Sequence, residues 1–267
     1  KLVELQISCT NCQRFVPLSF TTAVSPKNLE SSSSTGSLFV NVFDAGGDPI
    51  SGVTVRVVNG STTPSIDLTD TTNQSGMLQL VGIPTSTQSY SVNVSKSGYS
   101  SDRTYSLGAP ENPSPVNPHI TVAAGIVSTI SFSIDRVSRL QIASSDARCT
   151  AMPNSAFDIS GAKPIGLEPN VQKFSTSSIT DAMGSSTFSN IEWDTYVVTS
   201  TDGARDFAGF VPAPPWFVPP NTTSSLRIVL ASPGGNALLV TPIDEDSKEI
   251  ISAATTTITK SGFSAVM

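Results

Sequence analysis

The sequence is poor in charged side chains and nearly devoid of histidine. Only 13% of its 267 residues are Asp, Glu, Lys or Arg, and the net charge is −6. A nucleic-acid interface needs a basic face, so this acidic balance argues against that function. The one histidine, His119, excludes metal motifs built on two histidines and leaves a single imidazole for any nucleophilic triad. We therefore predict no catalytic, cofactor-binding or metal-binding residues.

Long apolar runs and helical periodicity are also missing. No stretch approaches the roughly 18 consecutive apolar residues of a membrane-spanning helix, so we expect no membrane span in this chain. No window repeats apolar residues at the i, i+3 and i+4 spacing of an amphipathic helix. We therefore expect almost no helix.

Ser, Thr and turn-forming residues are abundant instead. Ser and Thr account for 72 of the 267 residues, beside 18 Gly and 19 Pro. Short segments alternate apolar and polar residues between Gly, Pro, Ser or Asn, which is typical of half-buried strands. These segments are residues 2–7, 15–22, 38–44, 53–57, 66–70, 77–80, 90–94 and 129–134. The pattern predicts an all-β fold made of β-sandwiches in series.

Internal repeats divide the chain. The pattern Leu-x-Val-x-x-x-Asp of residues 38–44 returns at residues 238–244. The turn at residues 72–76 is echoed at residues 180–184, and both are followed by a segment that begins with Tyr and has Val two positions later. Such repeats indicate related units in series. We predict the tail of a preceding β domain with a Ser-rich linker (1–36), a first sandwich (37–135), a divergent second sandwich (136–233) and a partial third repeat (234–267).

The first unit carries a recognisable combination of motifs. Residues 38–44, 48–55, 72–76 and 90–99 supply a Gly/Asp/Pro hairpin turn, a Gly turn before an apolar strand, and a Tyr-x-Val strand. This combination resembles the carboxypeptidase regulatory-like β-sandwich, which is transthyretin-like or Ig-like and is also met as the Cna B-type repeat of bacterial surface proteins. The second unit departs from it, because Cys-Thr-Ala-Met-Pro at 149–153 replaces the expected Gly-Pro turn. The resemblance implies an extracellular, non-catalytic spacer or adhesive module in pilus-associated and cell-wall proteins.

The resemblance also raises the question of an internal isopeptide bond. Cna B-type repeats often join a Lys of the first strand to an Asn or Asp of the last. Residues 38–44 contain no Lys, which argues against such a bond in the first unit. Lys163 and Lys173 are the corresponding candidates in the second unit.

Three cysteines leave one without a partner in any pairing. Cys9 and Cys12 form a CxxC pair that can close a small disulfide loop in an exported protein, and the other interpretation is two free buried thiols. No helix is predicted after the pair, which argues against a thioredoxin-like redox site. The long separation from Cys149 does not fit a zinc pattern.

Trp193 and Trp216 are the candidate ligand-contact aromatics. Exposed flat rings can stack on sugar faces, but the same rings also fill cores or line sheet edges. Trp216 lies in the Pro-rich segment 212–220, which we expect to be extended along a sandwich edge. Glu192 and Asp194 flank Trp193, and we expect both carboxylates to be solvated.

These features predict a non-catalytic protein of the cell surface, structural or adhesive, acting as a stalk or pilus-associated subunit. The expected partners are other surface or pilus subunits, through head-to-tail or strand-sharing contacts, and glycans. No nucleic acid and no cofactor are expected. The alternative is a carbohydrate-binding module array attached to an enzyme outside this chain. Either the chain is a fragment, or strands of a neighbouring molecule complete its open edges.

Overall fold

A computed structural model of the protein describes residues 2–7, 18–23, 34–232, 240–247, 249–251, 254–260 and 263–266. Every regular element in these residues is a β-strand and none is a helix, which confirms the all-β prediction. Cys9, Cys12 and residues 31–33 of the predicted Ser-rich linker lie outside the described residues.

The first sandwich occupies residues 35–133 and follows an antiparallel hairpin of β1 (Leu2–Ile7) and β2 (Leu18–Ala23). Its strands are β3 (Thr35–Phe43), β4 (Thr54–Asn59), β5 (Ile66–Thr71), β6 (Met77–Pro84), β7 (Ser86–Ser95), β8 (Asp102–Arg103), β9 (Ile120–Val122) and β10 (Val127–Ser133). One sheet has the order β10-β3-β6, in which β3 is parallel to β10 and antiparallel to β6. The other has the order β5-β4-β7-β8, and β9 also pairs with β7.

The second sandwich repeats this topology over residues 138–231. Its strands are β11 (Ser138–Ser145), β12 (Ala156–Gly161), β13 (Pro164–Gly166), β14 (Val171–Gln172), β15 (Ser175–Ile179), β16 (Ser185–Ile191), β17 (Asp194–Ser200), β18 (Asp206–Val211), β19 (Trp216–Val218) and β20 (Thr223–Ala231). One sheet has the order β16-β11-β20-β18, and β11 is parallel to β20 as β3 is to β10. The other has the order β15-β12-β17-β19, and β13 with β14 forms a separate hairpin. The predicted fold of sandwiches in series is confirmed.

Each sandwich has its own core, because alternate residues of a strand point to opposite faces of its sheet. Buried side chains of the first core include Leu38, Val40, Val42, Val53, Val55, Val57, Tyr90, Val92, Val94, Phe132 and Ile134. Those of the second include Leu140, Ile142, Phe157, Ile159, Tyr196, Val198, Trp216, Val218, Leu226 and Ile228. The Oη of Tyr90 donates to Pro84 O (2.5 Å) and that of Tyr196 to Glu192 O (2.7 Å), so both buried phenols are hydrogen-bonded.

A buried Thr anchors the turn at residues 72–76 of the first sandwich. The Val53 N–H donates to Thr72 Oγ1 (3.0 Å), which connects β4 to the turn. The Val42 N–H donates to Gly76 O (2.8 Å), which connects β3 to it. Gly76 has φ +68°, a left-handed conformation that favours glycine.

The second sandwich makes the same turn with the same hydrogen bonds. The Ser155 N–H donates to Thr180 Oγ1 (3.0 Å) and the Ser144 N–H to Gly184 O (2.8 Å). Gly184 has φ +70°. The repeat seen in the sequence is therefore a repeat of hydrogen bonds between the turn and the first two strands of each sandwich.

The first hairpin turn also recurs, in spite of different sequences. Asp44 Oδ1 accepts two backbone N–H groups in the first sandwich (2.8 and 2.9 Å), and Asp146 Oδ1 accepts two in the second (both 2.8 Å). Cys149, with φ +63°, occupies the left-handed position that Gly47 takes with φ +90°. The change at residues 149–153 that separates the second unit from the family pattern therefore leaves the turn in place.

A third turn of this kind lies in residues 240–251. Asp244 Oδ1 accepts the N–H groups of Asp246 (3.1 Å) and Ser247 (2.8 Å), and an antiparallel bridge joins Ile243 to Ile250. Two strands follow it, β21 (Thr257–Lys260) and β22 (Phe263–Val266), which pair antiparallel.

Candidate functional site

The most elaborate polar structure in the described residues lies where the two sandwiches meet, and it begins with the segment that connects them. Residues 135–138 are hydrogen-bonded on both sides. The Ser100 N–H of the first sandwich donates to Asp135 O (2.8 Å). Ser138 Oγ donates to Pro219 O of the second (2.6 Å). The connection is therefore held by each sandwich and has little freedom to swing.

A long loop of the first sandwich, residues 104–119, adds backbone pairing across the junction. The Val116 N–H donates to Ile165 O of β13 (2.9 Å), and the Leu167 N–H donates to Ser114 O (3.0 Å). These are the reciprocal bonds of a short antiparallel bridge. The loop thus extends the pairing of the second sandwich by one strand segment supplied by the first.

Asn112 reinforces this bridge from within the junction. Its side chain is 5% exposed, and its Nδ2 donates to Ile165 O (2.9 Å). Its Oδ1 is buried and has no hydrogen-bond partner in the described part of the chain. A Cβ at Gly166 would lie 2.2 Å from this Oδ1, so the close approach of the two sandwiches requires glycine at position 166.

Four charged side chains form an ionic cluster beside the bridge. Lys173 Nζ lies 3.8 Å from Asp102 Oδ1 of the first sandwich and 2.7 Å from Glu192 Oε2. Lys163 Nζ lies 2.9 Å from Glu192 Oε1. The four side chains are between 13% and 27% exposed, so solvent screens them less than it screens surface pairs. The cluster connects the sandwiches electrostatically.

Burial changes the protonation equilibria of this cluster. Removal from water raises the pKa of Asp102 above its ordinary value, although the neighbouring Lys173 opposes that rise. Burial likewise lowers the pKa of Lys163, against the opposing effect of its hydrogen bond to Glu192. Desolvation disfavours the charged form of both groups, so each depends on its partners to stay ionised.

Comparison with known proteins identifies the first sandwich. Residues 37–135 match the family model described as the carboxypeptidase regulatory-like domain. We call residues 37–135 the carboxypeptidase regulatory-like domain after the family model that they match. The family resemblance read from the sequence is thereby confirmed for this part of the chain. No curated protein matches the chain.

Solved structures share only a distant likeness with the chain. The Bacillus anthracis TIE protein is 16% identical, with a TM-score of 0.30, and the match covers 81% of this chain and 38% of that one. The minor pilin GBS52 of Streptococcus agalactiae is 13% identical, with a TM-score of 0.32 and coverage of 77% and 99%. The shaft pilin SpaA of Lactobacillus rhamnosus GG is 12% identical, with a TM-score of 0.25 and coverage of 74% and 98%. The chain thus spans well under half of the TIE protein.

The two tryptophans occupy different environments in the sandwich that follows the carboxypeptidase regulatory-like domain. Trp193 is half-buried at the junction, and Lys163 Nζ lies over its ring, 2.9 Å from the centroid. Trp216 is 8% exposed, donates its Nε1–H to Pro212 O (2.8 Å) and packs on Phe210 with ring centroids 4.6 Å apart. The two rings therefore do not form one exposed row, and this arrangement is unfavourable for stacking on sugars. Contact of either ring with a ligand stays a prediction.

The two carboxylates beside Trp193 are not solvated, contrary to expectation. Glu192 is held by the two lysines of the cluster. Asp194 is 7% exposed, and its Oδ2 accepts the Lys163 N–H (3.0 Å). Gly161 makes room for it, because a Cβ there would lie 2.3 Å from that oxygen. The sequence did not predict that Lys163, Lys173 and Gly161 of the same sandwich enclose these two carboxylates.

The remaining candidates for chemistry are separate from one another. Cys149 is a free, exposed thiol that accepts a hydrogen bond from Arg227 Nη1 (3.3 Å). His119 lies in the loop of the carboxypeptidase regulatory-like domain, between Thr104 and Ser106. Among the described residues, no three His, Cys, Asp or Glu side chains are grouped to hold a metal ion, and no helix could cross a membrane. The disulfide of Cys9 and Cys12 stays a prediction.

The contacts of the junction were not predicted from the sequence. Asp102 and Asn112 belong to no motif, and Lys173 was a candidate for an isopeptide bond rather than for an ion pair with the first sandwich. The one available signal is the Pro- and Asn-rich composition of residues 104–119, an insertion between β8 and β9 that is longer than a sandwich turn needs.

Proposed function

We propose that the chain is a non-catalytic, extracellular structural subunit, a stalk or pilus-associated protein that holds β-sandwiches end to end. Its units are a preceding β domain and linker (1–36), the carboxypeptidase regulatory-like domain (37–135), a second sandwich (136–233) and a partial third repeat (234–267). Contacts with other surface subunits, head-to-tail or by strand sharing, are part of the proposal. The observation that carries it is the junction between the two sandwiches.

A stalk needs sandwiches that keep a fixed relative orientation. Domains joined by an ordinary linker reorient by default unless the interface between them is substantial. Here the connection at residues 135–138, the bridge of residues 114–116 to residues 165–167, and the ionic cluster of Lys173 restrain the same two bodies. Several contacts of different kinds oppose reorientation, which supports a rigid rather than a hinge-like connection.

The surface composition agrees with this role. The chain carries few charges and many hydroxyl side chains. Residues 37–135 match a family of β-sandwich modules, and the resemblance implies a non-catalytic module. Trp216 is a core residue. The alternative function, an array of carbohydrate-binding modules, would need a row of exposed aromatic rings, and Trp216 cannot contribute to one.

Immunogold electron microscopy of the source cells tests the proposal. Antibodies raised against residues 34–232 should label extended surface structures at regular intervals, and the label should disappear in cells that lack the protein. Labelling confined to the cytoplasm, or a soluble secreted particle without surface structures, would contradict the proposal.

A further inference from the structure

A cleft of about 740 Å³ lies beside the junction, and nothing in the proposed stalk role uses it. Its floor is the outer face of β4, β7 and β8. Its walls are the loop at residues 104–119, which carries the exposed carboxylate of Glu111, and, from the second sandwich, Ile165 and Val171. The cleft thus borders the interface between the two sandwiches, and interfaces between domains are frequent sites of ligand binding.

A row of donor side chains crosses the floor. Arg56 pairs in register with Asn93, and Asn93 pairs with Arg103, so the three side chains project from adjacent strands on one face. Strands are about 4.8 Å apart, which puts the Cα atoms of the two arginines roughly 10 Å from each other. The row presents guanidinium and amide N–H groups to the cleft.

The two arginines differ in what they already bind. Arg56 uses Nε and Nη2 to hold Asp67 in a two-pronged pair. Arg103 lies against the ring of Tyr105, with its Cζ 4.9 Å from the centroid, and within the described part of the chain no carboxylate forms an ion pair with it. A guanidinium that is oriented by an aromatic ring and lacks an acidic partner is suited to bind a carboxylate in a forked geometry.

The wall adds a further donor. Thr104 Oγ1 accepts the Val92 N–H (2.9 Å) and also hydrogen-bonds Nδ1 of His119 (2.9 Å). Nε2 of His119 hydrogen-bonds Ser106 Oγ (3.1 Å), so both ring nitrogens are engaged. Burial lowers the pKa of His119, which keeps the imidazole neutral near pH 7. The Ser106 hydroxyl lines the cleft beside this imidazole and can hydrogen-bond a ligand.

We propose that this cleft binds a carboxylate-bearing saccharide, with Arg103 as the group that holds the carboxylate. Ser91, Asn93 and Ser106 offer neutral hydrogen bonds for hydroxyl groups, and Val58 and Tyr105 offer apolar contact for the C–H faces of a sugar ring. An acidic peptide is less suited, because β4 and β7 of the floor are paired on both sides and residues 117–119 already occupy the backbone groups of Tyr105, so these positions cannot take up an extended backbone.

Isothermal titration calorimetry of the full chain with 3′-sialyllactose, a hyaluronan hexasaccharide and neutral lactose tests this site. We expect at least one acidic probe to bind and lactose to bind at least 10-fold more weakly. Arg103→Gln keeps a polar side chain but removes the guanidinium, and it should weaken the acidic probe about 10-fold or more. Arg148→Gln, an exposed arginine of the second sandwich outside the cleft, should leave binding unchanged.

A second variant tests whether weaker binding comes from the changed charge and not from loss of folding. Asn93→Asp puts a carboxylate between the two arginines on an exposed strand position, and it should also weaken the acidic probe while amide chemical shifts of the core stay in place. Failure of both acidic probes to bind, equal binding by Arg103→Gln, or equal binding by a poly-Glu peptide would overturn the proposal. None of these outcomes bears on whether the chain forms surface structures, so the stalk role is tested separately.

Discussion

Lys173 of the second sandwich and Asp102 of the carboxypeptidase regulatory-like domain bring an ammonium and a carboxylate within 3.8 Å across the junction. The same ammonium lies 2.7 Å from Glu192, so one cation neutralises an acid from each sandwich. Neither acid is well hydrated, since their side chains are 17% and 13% exposed. Separation of the sandwiches would leave Asp102 without this counter-ion.

Replacement of Lys173 by Met should therefore weaken the junction. Met keeps the apolar stem, but two partly buried carboxylates would then face each other with Lys163 as the only nearby ammonium in the described residues. We expect a loss of about 1–3 kcal/mol in the free energy of unfolding, between the values for exposed and fully buried pairs. Urea denaturation followed by circular dichroism measures it.

Arg56→Met is the matched control for that variant. It breaks the exposed pair with Asp67, whose side chain is 58% exposed. Its urea midpoint should match that of the wild type. Equal losses in both variants would show that the junction pair is no stronger than a surface pair.

The protonation of Asp102 should make stability depend on pH in a defined direction. Burial raises the pKa of Asp102 in the folded protein, so the folded state binds this proton more tightly than the unfolded state does. The contribution of Asp102 to stability is then largest below the ordinary carboxyl pKa of about 3.9 and falls as the pH rises through the folded pKa. The difference in unfolding free energy between wild type and Asp102→Asn should decrease over that range. A difference that increases with pH would mean that Lys173 outweighs burial.

The turn glycines allow steric and conformational strain to be separated. Gly76 and Gly108 both have positive φ, +68° and +73°. A Cβ at Gly76 would lie 2.6 Å from Val42 O, whereas a Cβ at Gly108 would meet nothing within 4 Å. Gly108→Ala should cost about 1 kcal/mol for its left-handed backbone, and Gly76→Ala about 3 kcal/mol because the clash adds to it. Equal thermal midpoints for the two variants would contradict the close approach at Gly76.

Trp216 and Phe217 are neighbours on β19 with opposite surroundings, 8% and 57% exposed respectively. Trp216→Ala empties part of the second core and strands the carbonyl of Pro212, so it should cost about 3–5 kcal/mol. Phe217→Ala should change the unfolding free energy by less than about 1 kcal/mol. A Trp216→Ala variant of wild-type stability would mean that the ring is not a core residue and would reopen a ligand-contact role.

The sequence predicted those parts of the fold that depend on neighbouring residues, namely single strands and turns. Alternation identified β3 and β4, and the shared pattern of residues 72–76 and 180–184 reflects identical hydrogen bonds to strands of each sandwich. It failed to recognise the hairpin turn at Cys149, because a left-handed position normally signals itself by glycine and here a cysteine occupies it.

The junction and the cleft could not be predicted because they depend on contacts between units. Asp102 reads as an ordinary surface acid until Lys173 of the second sandwich is placed beside it. The sequence shows His119 only as the single imidazole, and its hydrogen bond to Ser106 follows from the way the loop at residues 104–119 folds back. Only the composition of that loop could have drawn attention to it.

Residual dipolar couplings of the backbone amides test most directly whether the two sandwiches form one rigid body, as a stalk requires. In the full chain, couplings from residues 35–133 and from residues 138–231 should fit a single alignment tensor, and Lys173→Met should bring the two tensors apart. Two tensors of different magnitude in the wild-type protein would mean that the junction is a hinge, and would contradict the structural role proposed for this chain.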